Sequence, residues 1–138
     1  MTSTSTAHGS AEVAELLAAV PTGMLIGGEW LPSSEGRLID VLDPATGAVL
    51  AQVADGSVDD GLRAVEAAAK ALPAWSATPP RQRGEILRRA FELMTERAED
   101  LARLIVLENG KALPDAKAEA ITLRHDFARM ERLLNWQV

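Results

Sequence analysis

A mixed α/β fold, with β-hairpins first and about four helices after them, is predicted by three observations. Gly27-Gly28 separates two short apolar runs, Met24-Leu25-Ile26 and Trp30-Leu31. Asp43-Pro44-Ala45-Thr46-Gly47 separates two β-rich runs, and from Ser57 onward apolar residues recur at three- and four-residue steps. Paired glycines between apolar runs favour a tight hairpin whose primed turn needs φ > 0, and Asp, Pro and Gly each favour a turn. The later spacing matches the 3.6-residue period of helices with one buried face. No internal repeat interrupts this order.

Residues 1–10 (MTSTSTAHGS) carry no apolar pattern and are expected to form a disordered tail, because they cannot bury enough surface to offset the entropy of ordering. Residues 11–138 form the expected folded part. Ala11 to Val20 reads as one or two turns of surface helix, with Val13, Leu16, Leu17 and Val20 on one side and Pro21 as its stop. The two hairpins follow, the second pairing Leu38–Leu42 with Ala48–Val53. Ser57 offers an N-cap with Asp60 able to reach back three residues later. The helix it starts runs from 58 to 72, with Leu62, Val65, Ala69 and Leu72 as its stripe, Pro73 as its end and Trp75 folding into the core.

The densest periodicity lies between Thr78 and Lys111. Thr78 is the expected N-cap and Pro79 the first residue of a helix over 79–96. Ile86, Leu87, Ala90, Phe91 and Met94 share a face that should be buried. A helix over 98–109 uses Leu101, Leu104, Ile105 and Leu107 and is closed by Asn109-Gly110, glycine being the residue that adopts the left-handed C′ conformation without strain. Pro114 opens the last helix, 114–136, through Ala120, Leu123, Phe127, Met130 and Leu134.

Composition narrows the function classes. The 138 residues are 47% hydrophobic and 25% charged, ordinary values for one water-soluble domain. A net charge of −6 opposes attraction to phosphate backbones or anionic lipid, so neither nucleic acid nor membrane is an expected partner. No apolar run approaches the ~20 residues that cross a bilayer, and the first residues lack the basic and apolar regions of a leader, which points to the cytoplasm. Cysteine is absent, which removes disulfides, thiolate metal sites and a thiol nucleophile together.

His8 and His125 have no partner at metal-ligand spacing. Arg81, Arg83, Arg88 and Arg89 are basic, but Glu85 and Glu92 interleave at helix-pair spacing, so they read as a solvated face. Glu99-Asp100 fall in a first helical turn, where acids complement the dipole. No Ser or Thr has a base arranged to activate it. No catalytic residue, cofactor-binding residue or metal ligand is assigned in these 138 residues.

Five segments taken together nevertheless resemble the N-terminal part of the aldehyde dehydrogenase superfamily. They are Leu25-Ile26-Gly27-Gly28-Glu29-Trp30, Asp43–Gly47, Ala74-Trp75, Arg83–Leu93 and Leu107–Lys111, in register over about residues 21 to 119. Ala19–Gly23 and Ala77–Arg81 look most like the NAD(P)-dependent succinate-semialdehyde dehydrogenases. The resemblance implies the opening strands and first helices of a Rossmann-like cofactor domain, present here only in part. It implies oxidation of an aldehyde with NAD or NADP by cysteine attack, hydride transfer and thioester hydrolysis. The cysteine, glutamate base, oxyanion-hole asparagine and glycine-containing cofactor loop of that family have no counterpart here, so no cofactor is expected to bind.

After Glu119 the family pattern of Tyr-Ala-x-Glu-Phe-x-Arg-Trp is broken, with Leu123 and Met130 at aromatic positions while Asp126, Phe127 and Arg129 still fit. A decayed or frameshifted coding sequence would produce such a break, although the in-frame matches argue against a simple shift. The expected product is a scaffold fragment, inactive alone, that self-associates through uncovered apolar faces including some of Leu101, Leu104, Ile105, Phe127 and Met130. The alternative is a non-catalytic module that associates with a full-length homologue or another partner.

Overall fold

The computed structural model describes residues 5–136. Its elements run α1 (Ser5–Ala18), β1 (Met24–Ile26), β2 (Glu29–Leu31), β3 (Leu38–Leu42), β4 (Val49–Ala54), α2 (Val58–Ala77), α3 (Pro80–Glu96), α4 (Ala98–Asn109) and α5 (Leu113–Trp136). The chain divides within α2 into a first unit ending at Ala68 and a second beginning at Ala69.

In the first unit the strands form two separate antiparallel hairpins. The β1–β2 register sets Leu25 opposite Trp30 and Ile26 opposite Glu29, leaving a two-residue turn. Gly27 and Gly28 take φ of 63° and 92°, the left-handed pair of a type I′ turn that a Cβ would strain. Between β3 and β4, the Asp43 carboxylate accepts from the Ala45 N–H and the Thr46 hydroxyl, both at 2.8 Å, while the Gly47 N–H donates to the Asp43 carbonyl at 2.7 Å. An irregularity in pairing falls between Val41 and Leu42. Both hairpins therefore sit where the turn residues put them.

In the second unit α5 packs against both α3 and α4. Among the described residues of this unit the buried ones are small: Gly84 of α3, Ala102 of α4, and Ala116 and Ala120 of α5. Ala116 and Ala120 are one turn apart and so share a face. Such residues let helix backbones approach closely. Gly110 ends α4 at φ 66° and ψ 18°, its N–H donating to the Val106 carbonyl at 2.9 Å, as the Asn109-Gly110 pair predicts.

Several expectations are corrected. Helix α1 begins at Ser5, so Ser5–Ser10 of the expected tail are helical, while residues 1–4 lie outside the described residues. Extending a nucleated helix costs little per residue, and the Ala-rich segment downstream supplies the nucleus. Pro73 lies inside α2 and does not end it. It removes one amide donor, but Ala74, Trp75, Ser76 and Ala77 all tolerate helix, and the Thr78 hydroxyl bonds the Ala74 carbonyl at 2.9 Å. Thr78 is thereby spent at the end of α2 and does not cap α3. The N-cap of α3 is Pro79, without a side-chain hydrogen bond, and Pro80 takes the first helical position.

Burial also departs from the periodicity. Trp75 is 42% exposed and does not fold into a core. Ile86 is 54% exposed, so the Ile86-to-Met94 face is only partly covered, and Leu62, Val65 and Leu72 of α2 are exposed as well. Of the residues expected on an open face, Met130 is exposed, while Leu101, Leu104, Ile105 and Phe127 are half-buried.

Candidate functional site

The buried polar residues of the first unit gather at the N-terminus of α2. Ser57 is the N-cap: its hydroxyl accepts from the Asp60 N–H at 3.2 Å, and its own N–H donates to Asp60 Oδ2 at 2.9 Å. This reciprocal pair is a capping box with Asp at the third position, and it was legible as Ser57-x-x-Asp60. Two residues that the sequence did not signal complete it. The Ser34 N–H donates to Asp60 Oδ2 at 3.1 Å, and the Ser34 and Ser57 hydroxyls lie 3.0 Å apart. Arg63, one turn further along α2, donates to Asp60 Oδ1. Ser33 Oγ donates to the Asp55 carbonyl at 2.6 Å, fixing the same loop from its other side.

Asp60 is only 1% exposed, yet it is held well below the usual carboxylate range. The Ser57 N–H is the largest cause; burial opposes it, and the bonds from Arg63 and Ser34 add to it. A carboxylate so depressed is a weak proton acceptor near neutral pH. Among the described residues the partners of the Ser57 hydroxyl are Ser34 and Asp60, so the cluster holds a loop against a helix end. Of the N–H groups at this helix terminus, that of Ser57 bonds the Asp60 carboxylate and that of Asp60 bonds the Ser57 hydroxyl.

His125 is exposed on α5, and among the described residues no group of three His, Asp or Glu could hold a metal. Arg88 pairs with Glu85 at 2.8 Å and with Glu92, and Arg89 lies 3.4 Å from Glu92, which makes this the solvated face expected. Arg83 differs, for its Nε is buried without a hydrogen-bond partner. Lys111 pairs with Glu119, and Lys117 lies 2.9 Å from Glu99, so Glu108–Lys111 serves as a helix end tied to α5.

Capping predicts a measurable contrast. Ser57→Ala should cost about 1 kcal/mol, as loss of a capping hydroxyl generally does. Thr78→Ala, which removes only an exposed bond to Ala74, should stay within about 0.5 kcal/mol. Urea midpoints of the two variants check this, and equal losses would overturn the assignment of the caps.

Residues 30–133 match the model of the aldehyde dehydrogenase family. This chain belongs to that family. The match runs past Glu119, so α5 is included although its aromatic pattern is broken. A glutarate-semialdehyde dehydrogenase of Pseudomonas putida is 50% identical over 94 residues, which are 68% of this chain and 20% of that protein. An NADP(+) succinate-semialdehyde dehydrogenase of Escherichia coli is 48% identical over 95 residues, 69% of this chain and 20% of that protein. Among solved structures, a betaine aldehyde dehydrogenase from Staphylococcus aureus in complex with NAD+ superposes with a TM-score of 0.86 at 30% identity. That superposition covers 89% of this chain and 25% of the other. The chain thus spans about a fifth of the length of these curated relatives, and its hairpins and helices are part of an α/β aldehyde dehydrogenase domain.

Proposed function

We propose that this chain is scaffold from the opening part of a cytoplasmic, NAD(P)-dependent aldehyde dehydrogenase whose substrate is a semialdehyde with a carboxylate at its other end, succinate semialdehyde foremost. The superposition on part of an NAD+-complexed aldehyde dehydrogenase carries the family chemistry to this reading. The substrate class rests on the glutarate- and succinate-semialdehyde relatives, whose named substrates both have an aldehyde at one end and a carboxylate at the other. In this reading the 138 residues supply framework and not the reaction. A thiohemiacetal needs a thiol, and the sequence contains no cysteine.

The purified 138-residue protein, given succinate semialdehyde with NAD+ or NADP+, is therefore expected to reduce no nicotinamide. Turnover above a mock preparation would overturn the scaffold reading.

A second reading, a non-catalytic module that associates with copies of itself or with a full-length homologue, is favoured by the exposed Leu25, Trp30, Leu62, Val65 and Ile86. Large apolar side chains left in water favour association in proportion to the area they remove from it. Light scattering during a thermal melt should show species larger than a monomer, or a dye-binding state with helical circular dichroism and a shallow transition. A monodisperse monomer with one sharp transition and no dye binding would sink this reading. Adding a full-length relative and following the scattering mass separates self-association from association with a homologue.

A further inference from the structure

We draw no further inference here: the strongest candidate, the apolar face of α2 around Leu62 and Val65, is an unpartnered helix surface, and nothing in the structure shows what covers it.

Discussion

Replacing Asp60 with Ala should destabilise the first unit more than Ser57→Ala does, and should make its stability less sensitive to acid. One buried carboxylate serves the Ser57 N–H, the Ser57 hydroxyl, the Ser34 N–H and Arg63. Ala would leave the buried Ser57 N–H without its acceptor, and an unpaired buried donor costs more than the bond itself contributes net, while the half-exposed Arg63 and the exposed Ser34 would turn to water. Asp60→Asn separates charge from shape, since it keeps one acceptor but presents an NH2 group to donors, so it should fall between Ala and the parent. The pH dependence follows from the direction of the shift. A carboxyl whose native pKa lies below its unfolded value, about 3.9, contributes stability fully above that value. The contribution is lost as pH falls below it towards the native pKa. The parent should therefore lose stability on acidification below about pH 4, with Asp60→Ala losing less over the same window. Melts at a series of pH values measure the slope, and hydrogen exchange at the Ser34 and Ser57 amides reports the site itself. An Asp60→Ala protein as stable as the parent, with unchanged protection at those amides, would show that the network does not hold the loop.

The parts of this site that were legible in the sequence are the local ones. Ser57 and Asp60 are three residues apart, and helix geometry alone brings a cap and its third residue together. Ser34 lies 26 residues from Asp60, and its Pro32-Ser33-Ser34-Glu35-Gly36 surroundings read as any polar turn. The same division runs through the fold. Gly27-Gly28 and Asp43–Gly47 gave their hairpins because turn chemistry is local. Helix α4 is observed with the expected bounds of 98–109, since Gly110 stops it. Thr78 misled because two prolines follow it: the helix could begin at Pro79 or Pro80, and the extension of α2 through Pro73 decided between them. Periodicity also names a face without naming what covers it. Ile86 and Leu62 have the right spacing and remain exposed, while the buried apolar side chains among the described residues are alanines, which attention to large apolar residues passes over.

That inversion sets the other large effect. Ala116 and Ala102 are both 0% exposed, and Ala120 lies one turn beyond Ala116 on the helix that packs against α3 and α4. Leu at position 116 or 102 would add three carbon atoms at a site with no surface open to water, so helix axes are expected to separate or side chains to leave their rotamers. Overpacking of this kind costs about 1–3 kcal/mol, and occasionally more. Ile86→Ala tests the converse. Burial normally makes the loss of a large apolar side chain cost about 2–5 kcal/mol, but Ile86 already has about half its surface in water and leaves little cavity behind. Its replacement should cost less than about 2 kcal/mol, the lower end for a buried site. Enlarging an alanine should therefore harm this unit more than trimming an isoleucine, the reverse of the usual ranking for large side chains at a core. Urea midpoints followed by helical circular dichroism decide it. Ala116→Leu and Ala102→Leu variants as stable as the parent, beside an Ile86→Ala variant that loses several kcal/mol, would mean that the helices pack around Ile86 and not around their alanines.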